Sequence, residues 1–287
     1  MIPNTFAYVR ANSLEEAIRL LAESQGGGKL LAGGHSLVPL MKFRLTAPAT
    51  LIDISQLSQL RGIVVENDRL VIGALTTHRE IAIHPLVRQH VPVLAEAARQ
   101  IGDLQVRNRG TIGGNLAHAD PAADLPGVAL ALDALLEIAG EDGEETLAAE
   151  HFFLGPLVTA LPDTSVLTRI SFELPPSHTR STYLKFAHHA SGYAVVGVCA
   201  IAGIGADGLI DYVRVGINGV ADVAYRAYAV EQQLLGHAPT AEVIRQAAAY
   251  AADDGEISHD LFASEEYRRH LVKVYTERAL RRVLLAP

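Results

Sequence analysis

Apolar residues at Leu14, Ala17, Ile18 and Leu21 recur with a helical period, and Ser13-Leu14-Glu15-Glu16 ahead of them has capping-box spacing. The pattern predicts a helix over about 14–24, ended by Gly26-Gly27-Gly28. A short strand (Lys29 to Ala32) then empties into Gly33-Gly34-His35-Ser36, followed by a short helix from about Ser36 and a strand around Leu51 to Ile54. These elements make an opening α/β unit.

From 60 to 175 the pattern is mixed. Strands are predicted at Leu70 to Ala74, 134–139 and 165–174, and helices at about 92–101 and 122–132. Pro175-Pro176-Ser177 reads as a linker, because consecutive prolines stop both helix and sheet. Three strand-like runs follow (Ser181 to Ala187, Ala194 to Ile204, Leu209 to Ile217), then helical patterns at about 224–235, 240–252 and 265–284. In the last, Val272, Tyr275, Ala279 and Val283 form an apolar stripe. Strands and helices are interspersed without regular alternation, so the predicted class is α+β.

Composition narrows the chemistry. The chain has 287 residues, enough for one large domain or two ordinary ones, and 49% hydrophobic residues give a normal globular balance. No apolar run approaches the roughly 18 residues of a bilayer crossing, and the first residues lack a basic and apolar leader, so a soluble, cytoplasmic chain is expected. The single cysteine, Cys199, cannot form an internal disulfide, and an iron–sulfur cluster needs about four thiolates, so any such cluster must sit on another chain. A net charge of -8 argues against nucleic-acid binding and leaves any phosphate-bearing ligand to local geometry.

Several apparent motifs fail on context. Gly203-Ile204-Gly205-Ala206-Asp207-Gly208 satisfies the dinucleotide-turn spacing, but a strand follows it where a helix is required, so it is read as a hairpin turn. Gly28-Lys29 lacks the other residues of a phosphate-binding P-loop. The 12 histidines show no metal-ligand spacing, and His188 and His189 are expected to point apart on a strand, so no metal site is expected. Asp120 and Asp124 lie four apart as if on one helical face, although helix capping by Asp120 ahead of Pro121 is the simpler reading.

Two segments are harder to explain as ordinary turns. In Leu31-Ala32-Gly33-Gly34-His35-Ser36-Leu37 a strand runs into paired glycines where a helix begins, and glycines let backbone N–H groups approach an anion closely. Arg109-Gly110-Thr111-Ile112-Gly113-Gly114-Asn115 repeats the device, continuing through Leu116-Ala117-His118-Ala119-Asp120. Either loop alone reads as a turn needing positive φ; together, flanked by Ser, Thr, Asn and His, they read as a nest for a pyrophosphate.

These residues resemble a known family. Ala32-Gly33-Gly34-His35-Ser36 and Thr111-Ile112-Gly113-Gly114-Asn115 look like the two FAD-pyrophosphate loops of the flavoprotein, or medium, subunit of molybdenum hydroxylases of the carbon monoxide and xanthine dehydrogenase type. Gln105-Val106-Arg107-Asn108-Arg109-Gly110 before the second loop and the closing Ser264-Glu265-Glu266-Tyr267-Arg268-Arg269-His270-Leu271 extend the likeness over nearly the whole chain. The resemblance implies an FAD-binding fold of the vanillyl-alcohol-oxidase (PCMH) type in residues 1–176, with subdomains of about 1–56 and 57–176. A C-terminal domain at 177–287 would comprise a three-stranded antiparallel sheet and a helical bundle.

The same resemblance implies that Leu37, His118 and Ala119 border the cofactor with the two loops, that Asp124 and Lys185 lie near the flavin or its ribityl chain, and that Tyr193 faces the isoalloxazine ring. Ser191-Gly192-Tyr193 reads as a polar turn entering an apolar strand, compatible with a flavin-facing ring and equally with an ordinary buried tyrosine. His35 and His118 suit either flavin contacts or structural hydrogen bonds. The family's large chain carries the molybdenum cofactor and its small chain two [2Fe–2S] clusters, in a dimer of heterotrimers. The present chain would take electrons on FAD and deliver them to NAD, a quinone or oxygen. A self-contained flavin oxidoreductase of the same fold, and a redox-inactive scaffold, are the competing readings.

Overall fold

The computed structural model describes residues 2–285. Its N-terminal part is a three-stranded parallel sheet of β1 (Ala7–Arg10), β2 (Gly28–Leu31) and β3 (Thr50–Asp53), with β3 in the middle. Two helices connect the strands, α1 (Leu14–Glu23) and α2 (Leu37–Lys42). The α1 start differs in detail from a capping box. Ser13 Oγ accepts the Glu16 N–H at 3.1 Å, but the Glu16 carboxylate reaches back one residue further, accepting the Asn12 N–H at 2.8 Å. Ala17, Ile18 and Leu21 face inward as their spacing predicts.

A second, antiparallel sheet follows. Its strands are β4 (Ile63–Glu66), β5 (Arg69–Gly73), β6 (Leu135–Gly140), β7 (Gly143–Ala148) and, after a small β8–β9 hairpin (Phe153–Gly155, Val158–Thr159), β10 (Val166–Glu173). The order β4-β5-β10-β6-β7 puts β10 at the centre. Between β5 and β6 run α3 (His78–Ile83), α4 (Pro85–His90), α5 (Pro92–Gln100), α6 (Leu104–Arg109), α7 (Ile112–His118) and α8 (Leu125–Ala131); α9 (Ala149–Phe152) follows β7. Pro85 and Pro92 sit in the first turns of α4 and α5, where a missing N–H costs nothing. The predicted helix at 122–132 begins only at Leu125. Asp120 caps a preceding turn, accepting the Ala122 N–H at 2.9 Å, so Asp120 and Asp124 do not share a helical face.

After Pro175-Pro176 come β11 (Arg180–Ala187), β12 (Ala194–Ile204), β13 (Ile210–Asn218) and β14 (Tyr225–Arg226). The sheet therefore has four strands, not three, because two residues expected to open a helix pair instead with Gly216 and Ile217. The helices are α10 (Tyr228–Leu234), α11 (Ala241–Ala248) and α12 (Glu265–Leu284). The hairpin turn expected from 203–208 is present: Gly203 and Ile204 end β12 and residues 205–209 lead into β13, with Gly208 at φ 81°. Val196, Val198 and Val213 pack with α10–α12, while Tyr183, Cys199 and Ile201 join the core built around α5 and α8. Burial on both faces explains why β12 is an unbroken apolar run.

Candidate functional site

The fold brings the two glycine segments together. Gly33 lies against the backbone of Arg109 and Gly110, and a β-carbon there would collide with the Arg109 carbonyl. Gly34, at φ 72°, turns the chain away. His35 Nδ1 lies 2.9 Å from its own loop's Gly33 carbonyl and the ring is exposed; Ser36 makes no side-chain capping bond, and Leu37 is half-buried as the first residue of α2. Ala32, Gly33, Gly34 and His35 line an open cleft of about 260 Å³ with Asp53, Ser55 and Arg109.

The second segment is not a loop. Gly113 and Gly114 lie in the first turn of α7, with Thr111 as N-cap accepting the Gly114 N–H at 3.2 Å. The Gly113 N–H donates to Ala74 O at 2.8 Å, and a β-carbon on Gly113 would stand 2.5 Å from that of Ala74. Ile112 also faces inward: its side chain is in the core and its N–H bonds Thr76 O. Gly114 is exposed. Asn115 Oδ1, buried and without a partner, is the unsatisfied acceptor beside it.

His78 is a neighbour that sequence reading missed. Its N–H donates to Gly110 O at 3.0 Å, and its ring fills the space where a Gly110 side chain would be. Burial, then the charges of Arg107 and His35, push its pKa down to about 4. Thr77 and Glu80 form a true capping box for α3, which was the available sequence signal.

A second cluster forms where α8 meets the C-terminal sheet. Asp124, the N-cap residue of α8, bonds Lys185 Nζ at 2.8 Å through Oδ2 and the Tyr183 hydroxyl at 2.7 Å through Oδ1. Lys185 Nζ also donates to Gln100 O. Both members of the pair are nearly inaccessible, and burial raises the Asp124 pKa against the opposing pull of Lys185. Strand geometry assembles the group: Tyr183 and Lys185 are two apart on one face of β11, and Lys185, Gly197 and Asn218 fall on one row of the sheet. Neither Tyr183 nor Asn218 was singled out from sequence, although the two-residue period was legible.

Tyr193 stands just ahead of β12 and is 47% exposed, so it is not an ordinary core tyrosine. Partial burial and the charges of Asp120 and Asp124 raise its pKa. The 120–124 turn is docked beneath it by the Gly219 N–H on Pro121 O at 2.9 Å. Half-buried His118 and left-handed Ala119, at φ 48°, end α7 immediately before this turn. The segment 111–124 thus runs from the joined glycines to the Asp124–Lys185 pair.

Residues 4–175 match the family described as the FAD binding domain in molybdopterin dehydrogenase, and residues 181–283 match the CO dehydrogenase flavoprotein C-terminal domain. This chain belongs to the FAD-binding medium-subunit family of molybdenum hydroxylases. These are oxidoreductases, and FAD is the family's cofactor. The carbon monoxide dehydrogenase medium chain of Hydrogenophaga pseudoflava is 38% identical, over 98% of this chain and 97% of its own. The glyceraldehyde dehydrogenase medium chain of Sulfolobus acidocaldarius is 34% identical, over 99% and 100%. The CO dehydrogenase structure from Oligotropha carboxidovorans superposes with a TM-score of 0.96 at 31% identity, covering all of both chains.

The residues present fit that medium-subunit cofactor. A pyrophosphate needs backbone that can be approached closely, and Gly34 and Gly114 supply it. The unpartnered Asn115 Oδ1 offers an acceptor to a hydroxyl or amide group. Exposed Tyr193 offers a flat ring. Among the described residues, no group of three His, Cys, Asp or Glu side chains is placed to hold a metal, and no helix is long and apolar enough to cross a membrane.

Proposed function

We propose that this chain is the FAD-carrying electron-transfer subunit of a multi-subunit molybdenum hydroxylase, with residues 1–176 holding the cofactor and 177–287 closing over it. Bound FAD supplies a junction between one-electron clusters and a two-electron acceptor. Ala32, Gly33, Gly34, His35, Ser36 and Leu37 with Thr111, Ile112, Gly113, Gly114 and Asn115 form the pyrophosphate end; the Ile112 and Gly113 N–H groups are taken up by Thr76 O and Ala74 O, so these two shape the wall and the first segment supplies the open backbone. His118, Ala119, Asp124 and Lys185 border the ribityl chain, and the Asp124–Lys185 pair keeps a fixed, internally neutralised charge there. Tyr193 faces the isoalloxazine ring and limits access of water to it.

The convergence of Gly33 on Arg109 and Gly110 carries this reading, because it makes one site out of two glycine segments far apart in sequence. The electrons come from [2Fe–2S] clusters of a small partner chain, fed by a large molybdenum-cofactor chain, in a cytoplasmic dimer of heterotrimers; the acceptor is NAD, a quinone or oxygen. One cysteine in the sequence is consistent with clusters held elsewhere.

The test is to load the isolated chain with FAD and offer aldehydes, purines and N-heterocycles anaerobically while following flavin absorbance. No bleaching is expected until the cluster-bearing and molybdenum chains are added. Rapid bleaching by the chain alone would instead identify a self-contained oxidoreductase, and failure to take up any flavin would identify a scaffold.

A further inference from the structure

The loop that carries Tyr193 is built around an imidazole. His188 and His189 do not point apart on a strand as expected; β11 ends at Ala187, and the two rings lie 4.8 Å apart in the β11–β12 connection. His188 Nδ1 receives the Ser191 N–H at 3.2 Å and the Ala190 N–H at 3.4 Å, with Ser191 Oγ at 3.2 Å. The backbone closes the same circuit, since His188 N–H donates to Tyr193 O at 2.8 Å and Gly192 N–H to His188 O at 2.8 Å. Donors converging on one lone pair require an unprotonated Nδ1. His188 Nε2, the nitrogen left to carry the ring's hydrogen, is buried with no oxygen or nitrogen partner, so Nδ1 is the ring's one polar anchor.

The ring is also held from outside the loop. Phe262 packs edge-to-face on His188 with centroids 4.2 Å apart. The Phe262 N–H is itself fixed on Asp260 Oδ1 at 2.8 Å, and Asp260 is paired with Arg268, which bonds the carbonyls of Val195 and Gly219. Ala190, Ser191 and Gly192, by contrast, have little side chain with which to order themselves, and Gly192 sits at φ 74°.

We propose that His188 is a positioning residue whose Nδ1 templates the 188–193 loop and thereby holds Tyr193 toward the flavin. The inference rests on the reading that Tyr193 faces that ring. Without the acceptor, the loop samples many conformations and the tyrosine is no longer aimed. Packing against Phe262 alone does not substitute, because it orders the imidazole and not the amides.

The experiment uses the FAD-loaded full chain and two readouts: amide exchange at Ala190 and Ser191, and fluorescence of the bound flavin, which a stacked tyrosine quenches. His188→Leu should speed exchange at both amides by about fivefold, the loss of roughly one net hydrogen bond. It should also raise flavin fluorescence to the level of Tyr193→Ala, and His188→Leu/Tyr193→Ala should go no higher than Tyr193→Ala alone. His188→Asn, whose Oδ1 stands where Nδ1 stood but cannot pack on Phe262, should restore slow exchange and low fluorescence. Unchanged exchange in His188→Leu, or failure of His188→Asn to rescue, would overturn the template. Unchanged fluorescence in Tyr193→Ala would overturn the placement of Tyr193 at the flavin, and the inference with it.

Discussion

The glycine pairs 33–34 and 113–114 look alike in sequence and are made differently. The first lies in a strand-to-helix turn with Gly34 left-handed; the second lies inside a helix with ordinary dihedrals. Yet each divides its labour the same way. Gly33 and Gly113 each admit another stretch of backbone, Arg109–Gly110 in one case and Ala74 in the other. Gly34 and Gly114 meet no backbone of their own fold that a side chain would strike. One member of each pair is thus fixed by another stretch of backbone, and the other is bounded only by side chains.

The largest test of that comparison is the joint between the pairs, where His78 is buried beside Gly110. Its folded pKa lies below its unfolded value, so as pH falls from about 6.5 to 4 the unfolded chain takes up a proton first and stability is lost. The loss from this group is on the order of 3 kcal/mol. Urea unfolding across that range should show a one-proton slope that disappears in His78→Leu; an unchanged slope would mean His78 is not the titrating group.

Next come the packed glycines. Gly33→Ala and Gly113→Ala should each cost about 1–3 kcal/mol, since the added carbon meets backbone that cannot swing aside. Both should also weaken FAD retention, measured by flavin absorbance after gel filtration. Gly34→Ala should cost about 1 kcal/mol from its positive φ, because Leu31 and Val38 side chains at 3.2 and 3.3 Å are its nearest contacts. Its FAD occupancy should fall further than that instability explains.

The smallest effect on stability, and the sharpest on the comparison, is expected of Gly114→Ala. The position is helical and exposed, so better helix propensity offsets the 2.9 Å approach to Thr111 Oγ and stability should shift by no more than about 0.5 kcal/mol. FAD affinity should nonetheless drop at least about tenfold, about 1.4 kcal/mol. A folded, fully yellow Gly114→Ala protein would remove Gly114 from the site and break the symmetry between the pairs.

Much of this was legible beforehand, and the gaps have physical reasons. The C-terminal strands and α12 showed because they are long, β12 as an unbroken apolar run and α12 by its spaced apolar stripe. The six-residue helices α3, α4 and α6 are shorter than the windows in which a helical period can be counted, and Pro85 and Pro92 read as breakers although they start helices. Strand β7 is an exposed edge of mostly polar residues and carries no inward alternation. At the candidate site, sequence reading reached single residues and not the pairs they form. Nothing local to Gly33 announces Arg109, and nothing local to Asp124 announces Tyr183.

That last pairing bears on how such chains can be recombined. The carboxylate at the head of α8 finds its cation and its hydroxyl donor on β11, beyond the proline linker, so the N-terminal half carries an acid whose neutralisation is encoded in the other half. A chimera that exchanged residues 177–287 for a segment lacking lysine and tyrosine at the matching positions would strand a buried negative charge where α8 meets β11. The two halves, however separable their sheets look, are therefore constrained to be inherited and engineered as one piece.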